Sequence, residues 1–530
     1  MKGILFSIAL IFIAAASAQE IVAPLDTDLF LSGNFGELRS NHFHSGIDFK
    51  TKGITGLPVR AVKGGYVSRI SISAGGYGKA IYIGHPDGTT SVYGHLEGFI
   101  PAIEHAVRDS QYRYESFAVN LFFRQGEFAV RQGEVFAYSG NSGSSGGPHL
   151  HFELRGKQSE RPFDPLPLFG DRIRDSIPPE ILGVILLPQP GKGVAGSDMT
   201  AWGRIGIAVK AYDRMNGTNN IYGVKEIILR LEGRIIFHYR IDDFSFGDTR
   251  YVNSFIDYGR WVEDRELYMK SFVEKGNHFD AFLSDDGIVM IDEERDYRFE
   301  YTLMDSFGNT AVKNFTVRGK RQDIPAVDGD CITFLCDRDN HVRASGLELS
   351  VPRGSLYTDL CLKVTRTGGQ FSAPVYSLGV KAPLHSACNL SLDIWDDSFT
   401  GKSKYGIVAI NRNDMNWLGG QYGGSRITAG ILELGDFTVA VDTIPPKITK
   451  VKPKTGSNRI TFHVTDNLSG IESYRATVDG KFLLLEYDAK TGTMSGMPDL
   501  GRIKSDVKAI RLEVADRAGN ATVREFFFKP

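Results

Sequence analysis

The chain lacks the charge, apolar and cysteine signatures of several large functional classes. Lys and Arg number 61 against 63 Asp and Glu, so no basic excess marks a nucleic acid or an anionic membrane as the main partner. After the first eighteen residues no long apolar stretch occurs, which argues against a membrane span in the mature chain. No Cys follows the N-terminal apolar run, which argues against a lipid-anchored lipoprotein. Cysteine is scarce: Cys331, Cys336, Cys361 and Cys388 all sit in one segment, at spacings that fit no zinc ribbon. In an exported chain, one or two disulfides stapling that segment are expected.

What is present is turn-rich. Gly numbers 59 and aromatics reach 11%, which favours strands over helices, and 530 residues predict about three to five domains. Lys2, the apolar run Ile4 to Ala16 and the small residues Ala16-Ser17-Ala18 read as a secretory signal, residues 1–18, with a mature start at Gln19. The expected location is the periplasm or the exterior, soluble after signal removal. From about 25 to 170, short apolar runs such as Pro58-Val59-Arg60-Ala61-Val62 and Ala80-Ile81-Tyr82-Ile83 alternate with turns such as Pro86-Asp87-Gly88. The stretch Ile103 to Gln132 interrupts this pattern and reads as an insertion near a site.

Two later segments resemble each other. One opens with Asp175-Ser176-Ile177-Pro178-Pro179, the other with Asp442-Thr443-Ile444-Pro445-Pro446. Each has a strand ending in Asp (Asp213, Asp466), a hairpin (Glu232-Gly233, Asp479-Gly480) and a close, Asp305-Ser306-Phe307-Gly308-Asn309 or Asp516-Arg517-Ala518-Gly519-Asn520. Alternating strands at this spacing predict β-sandwiches of immunoglobulin-like type at 173–322 and 442–530, with a cysteine-containing β-domain at 323–441 between them. Paired prolines mark the linker into each copy.

Seven of the twelve histidines fall between His42 and His151. In His149-Leu150-His151 the two imidazoles share one face of a strand, about 6.6–7 Å apart, while Leu150, Phe152 and Leu154 face a core. One imidazole can then bind a metal while the other reaches a water beside it, or both can be ligands. His44 and Asp48 would lie ~13 Å apart on a straight strand, too far to share an ion, but Ser45-Gly46 offers a bend. Two histidines and a carboxylate make an open zinc site with one position left for water. His95, in Tyr93-Gly94-His95-Leu96, is placed for acid–base or oxyanion work. Arg39 reads as a partner that orients a ligand or as an ordinary ion pair. No His-Glu-x-x-His helix occurs, so the glutamate base it carries is absent.

Phe35-Gly36-Glu37-Leu38-Arg39, His44-x-x-x-Asp48, Tyr93-Gly94-His95-Leu96, Gly140-Asn141-Ser142-Gly143 and Pro148-His149-Leu150-His151-Phe152-Glu153 occur in this order. Together they resemble the lysostaphin/LytM family of zinc endopeptidases over about Asn34 to Phe169. The resemblance implies a lysostaphin-type antiparallel β-sheet peptidase domain, here 19–172, in a mainly β chain continued by β-sandwich domains. It implies one Zn2+ per chain, held by His44, Asp48 and His151, with His95 and His149 as the catalytic histidines. It also implies hydrolysis of peptide cross-links or stem peptides of peptidoglycan. The Ile103–Gln132 stretch departs from the family's shorter connections, which leaves groove shape and substrate choice open. Two other readings stand beside this one: a catalytically silent relative that activates or scaffolds other wall hydrolases, and an envelope binding protein whose β-domains recruit protein partners. Loss of a ligand or catalytic histidine would mark the silent relative, and none is missing.

Overall fold

Short β-branched and aromatic runs separated by glycine turns form the strands of the N-terminal third. The computed structural model describes residues 21–284, 286–326, 329–344, 346–368, 374–412, 414–452, 459–497 and 508–528. The expected signal at 1–18 and the start at Gln19 lie outside the described residues. The chain is mainly β, and among the described residues its sheets are antiparallel apart from one short parallel pairing of Thr200–Ala201 with Arg318–Gly319.

The first sheet runs in the order Leu31–Gly33, Ile47–Lys50, His149–Gly156, Thr89–Gly94, Lys79–Gly84, Gly65–Ile72 and Val119–Phe122. His149–Gly156 is central, and its register sets Asp48 on one side and Gly94 on the other, both opposite His151. Directly paired residues of antiparallel strands point to the same face, with Cβ atoms about 4.5–5.5 Å apart. Register therefore brings Asp48 beside His151 and leaves His95 one residue beyond the pair. The opposite face, with Ile47, Phe49, Tyr93, Leu150, Phe152 and Leu154, is fully buried core.

The stretch Ile103 to Gln132 supplies most of helix Pro101–Tyr114 and edge strand Val119–Phe122, which pairs with Arg69–Ile72. Pro101 opens the helix where no N–H is needed, and Glu115 in the left-handed region ends it. Ile103, Val107 and Gln111, four apart, form its buried stripe. The end of this helix meets the last module: Tyr112 and Phe482 pack edge to face at 5.7 Å, and Glu115 pairs with Arg475.

The two sequence copies use equivalent hairpins. Glu232-Gly233 joins Glu226–Leu231 to Arg234–Arg240, and Asp479-Gly480 joins Ile471–Val478 to Lys481–Phe482, with positive φ at all four residues. Their closures differ. Between Lys447 and Phe528, two four-stranded sheets enclose one core of Ile448, Phe462, Val464, Met494, Leu512 and Val514, the packing of a β-sandwich. In the first copy the long strand Thr200–Tyr212 links eight strands into one sheet. The intervening segment forms another eight-stranded sheet around Val375–Asp393 and Arg426–Val441. Cys331 and Cys361 form a disulfide, whereas Cys336 and Cys388 are buried thiols.

One apolar cluster is shared by the first sheet and the module after it, with Phe43 stacked on Phe279 at 4.9 Å. The segment leading to His44 is thus packed from both sides of the junction.

Candidate metal centre

Gly46 bends the chain between His44 and the strand that carries Asp48. A Cβ at Gly46 would lie 2.2 Å from Phe152 O, so the close approach to the central strand requires glycine. The bend brings His44 Nε2 to 3.2 Å from Asp48 Oδ1. His151 Nδ1 lies 3.1 Å from His44 Nε2 and 2.9 Å from Asp48 Oδ1. All three side chains are buried.

The outward atom of each residue is tied down. His44 Nδ1 donates to Asn34 O at 2.7 Å, and His151 Nε2 donates to Glu153 Oε1 at 2.8 Å. Asp48 Oδ2 accepts from Arg39 Nη2 at 3.2 Å. A carbonyl or carboxylate oxygen only accepts, so the ring nitrogen facing it carries the hydrogen and the other presents a lone pair. Three acceptors therefore meet at hydrogen-bond distance, an arrangement that is repulsive unless a cation or proton stands among them. Tetrahedral ligands ~2.0–2.2 Å from zinc lie ~3.3–3.6 Å apart, so a small outward relaxation seats the ion. The donor set fits zinc in kind as well as in size.

The pocket draws positive charge. Burial opposes it at His151, yet hydrogen bonds to Asp48 and Glu153 push that imidazole up to about 9. Burial would raise Asp48, but the neighbouring imidazoles, His44 first and then His149 and His151, hold it well below the usual carboxylate range.

The two remaining imidazoles border this cluster. His149 Nδ1 donates to Gly147 O at 2.8 Å, leaving Nε2 bare and 3.5 Å from Asp48 Oδ1. His95 Nδ1 donates to Ser142 O at 2.9 Å, and its ring lies edge to face with that of His149, centroids 4.7 Å apart. His95 has φ +59°, strained for a residue with a Cβ. Bonds from His95 N to Tyr77 O and from Leu96 N to Lys79 O hold it there. Burial first, then the charges of His151 and His149, push His95 down to about 3, so its ring is neutral.

Residues 42–112 match the model of peptidase family M23. The chain carries an M23 peptidase domain. The matched residues include His44, Asp48 and His95 and stop inside helix Pro101–Tyr114; His149 and His151 lie beyond them and join through the sheet. A Zu5-like domain model matches residues 332–442. The DD-carboxypeptidase/endopeptidase Mpg of Neisseria meningitidis serogroup B is 34% identical over 118 residues, 22% of this chain and 21% of that protein. An uncharacterized metalloprotease of Haemophilus influenzae is 33% identical over 111 residues, 21% of this chain and 18% of that protein. The chain thus matches about a fifth of the length of these curated relatives. Among solved structures, the catalytic domain of lysostaphin from Staphylococcus simulans is 24% identical, covering 26% of this chain and 90% of that one, with a TM-score of 0.20.

The polar face of the M23 domain's central strand is mostly covered. His151, Glu153 and Arg155 are buried, and only His149 is partly exposed. Tyr77 and Ser45 cover Glu153, and Phe246 from the next module packs against the Arg155 guanidinium at 4.5 Å. Alternation reports which face is polar; it does not report what lies over that face.

Glu153 is the functional residue that sequence reasoning left without a role. Its Oε1 accepts from Ser45 Oγ and Tyr77 OH, each at 2.6 Å, and from His151; its Oε2 accepts from Arg155 Nε at 2.6 Å. Burial would raise its pKa, but Arg155 and His151 outweigh burial and keep it ionised. We expect Glu153→Gln to weaken zinc binding about 10–100-fold, because the residue behind a ligating imidazole sets its basicity and aim. Competition with a chromophoric chelator measures this, and an unchanged affinity would reduce Glu153 to packing.

Other residues near the motifs lie apart from the cluster. His42 bonds Ser40 O at the surface, and His85 bonds Gly64 O and Ser91 Oγ away from the cluster. Tyr93 is buried, its hydroxyl accepting from Val62 N. Distant modules buttress the site. Asn34, whose carbonyl orients His44, is clamped by Gly223 N and O at 2.9 and 2.8 Å. Lys490 Nζ donates to Asn141 O at 2.6 Å and Ser145 O at 2.9 Å, bracing the loop that supplies Ser142 O and Gly147 O.

Proposed function

We propose that the M23 domain is an exported, zinc-dependent endopeptidase that hydrolyses peptide cross-links or stem peptides of peptidoglycan. One ion per chain is held by His44, Asp48 and His151. The observation that carries this reading is the meeting of three aimed lone pairs beside two imidazoles whose Nε2 atoms are bare. Bound zinc supplies Lewis acidity, which polarises a carbonyl and acidifies water.

The chain's own residues supply positioning and proton transfer. His149 borders the cluster with Nε2 unprotonated, so it takes the proton of an attacking water and passes it to the leaving amine. Ser142 O commits the His95 hydrogen to Nδ1, so His95 at rest accepts at Nε2 and aligns the water's other hydrogen. It becomes a donor toward an oxyanion only once protonated. Arg39 holds Asp48 Oδ2 and thereby turns Oδ1 to the cluster.

The relatives named DD-carboxypeptidase/endopeptidase support a peptidoglycan substrate and favour D-amino-acid cross-links over glycine bridges. The apolar leader supports export to the periplasm or the exterior, and among the described residues no helix is long and apolar enough to cross a membrane. We assign the segments 173–322 and 442–530 as immunoglobulin-like modules that buttress the site and offer surfaces to envelope partners. All five site residues are in place, which favours an enzyme over a silent activator.

The test is mass spectrometry of fragments released from defined peptidoglycans by the full, zinc-loaded chain. Directly cross-linked muropeptide dimers should be converted to monomers while glycine-bridged ones persist. The reverse pattern would overturn the bond assignment, and release from neither would overturn the endopeptidase reading.

A further inference from the structure

The two sequence copies share more than strands: each gathers three aspartates. Asp175, Asp213 and Asp305 offer oxygens within 4.8 Å of one another, and so do Asp442, Asp466 and Asp516. The positions correspond one for one. Asp175 and Asp442 lie in the linker, three residues before the paired prolines. Asp213 and Asp466 follow strands Thr200–Tyr212 and Ile460–Thr465. Asp305 and Asp516 open the Asp-x-x-Gly-Asn turns.

The surrounding bonds also repeat. Ile177 N donates to Asp175 Oδ1 and Ile444 N to Asp442 Oδ1, each at 3.2 Å. Asn309 Nδ2 donates to Asp305 Oδ2 at 2.8 Å, and Asn520 Nδ2 to Asp516 Oδ2 at 2.7 Å. What is left over repeats as well. Asp213 Oδ1 and Asp466 Oδ1 are each buried without a hydrogen-bond partner, and the Asp213 residue is only 3% exposed. Among the described residues no lysine, arginine or histidine forms an ion pair with any of the six. A buried, unpaired carboxylate oxygen among like charges is costly unless a cation or a proton supplies the missing interaction. That the same vacant oxygen arises twice, on matching residues of divergent sequence, argues against accident.

We propose that each cluster binds a hard divalent cation of the calcium class, one ion per copy, tying the linker aspartate to two strand ends of the module it enters. The all-oxygen donor set selects a hard ion over zinc, and three carboxylates drawn from a linker and two strand ends suit the larger, geometrically tolerant calcium over magnesium. The ions stiffen the two joints that set the positions of the buttressing modules. Asp442 joins strand Arg426–Val441 to the module that carries Lys490. The proposal is independent of the zinc reading, because none of the six residues belongs to the peptidase cluster.

The full chain is stripped with EGTA and titrated with CaCl2, and in parallel with MgCl2, by calorimetry. Two calcium ions per chain are expected, with dissociation constants at or below about 1 mM, the range of extracellular modules, and with weaker magnesium binding. Asp213→Asn and Asp466→Asn should each remove one ion, and the double variant both. Calcium should also slow limited proteolysis within 173–179 and 440–446. No binding, a single ion in the unmodified chain, tighter magnesium than calcium, or two ions retained by the double variant would each overturn the proposal. The count in the unmodified chain stands even where a variant fails to fold.

Discussion

Replacing Asp48 with Ala is expected to yield a chain that retains no zinc and has lost more than about 10³-fold of its hydrolytic rate. Asp48 is the carboxylate of the cluster and touches both of its imidazoles. Its Oδ1 lies within 3.5 Å of His44, His149 and His151, and its Oδ2 is held by Arg39. Without it two neutral imidazoles remain, too few donors and too little charge to hold a divalent ion against water. His44→Ala should behave alike. Metal analysis by mass spectrometry, run beside digestion of purified walls, gives both readouts, and a circular dichroism spectrum separates loss of metal from loss of fold. Stoichiometric zinc in folded Asp48→Ala would remove this residue from the ligand set.

His149→Ala should separate what Asp48→Ala couples. Zinc content should stay near one per chain while kcat falls about 10²–10⁴-fold, the range for loss of a general base. The His149 ring adjoins the cluster, but its removal leaves His44 Nε2, Asp48 Oδ1 and His151 Nδ1 with their own anchors. Substrate affinity should change less than kcat, since the missing group acts on a moving proton. Normal digestion by the variant would assign the base to another residue, and loss of zinc would make His149 a ligand.

Much of the M23 domain was legible from residue order. Alternation in His149-Leu150-His151-Phe152-Glu153-Leu154 implies a strand with two imidazoles on one face, because side chains in a strand alternate strictly. Gly46 could be singled out because four residues cannot span an ion without a bend. The double-proline linkers and the Glu232-Gly233 and Asp479-Gly480 hairpins were equally plain, since the backbone conformations they need admit few residues.

Less was legible where the partner is backbone. Asn34 O, Ser142 O and Gly147 O orient three imidazoles, yet every residue has a carbonyl, so no residue type marks these three. Glu153 and Tyr77 are polar residues of ordinary kinds, and only their burial against His151 gives them a part. The eight-strand closure of the first copy was hidden for a similar reason: local alternation sets strands, and long-range register decides which strands share a sheet.

By itself, then, the order of residues determined which chemical groups this chain offers: two imidazoles and a carboxylate of open-site type, two further histidines nearby, and a repeated trio of aspartates. Only the folded chain decided where the lone pairs point. A ring nitrogen is bare or protonated according to what its opposite nitrogen meets, and that is set by sheet register and by contacts reaching as far as Lys490 with Ser145, 345 residues apart.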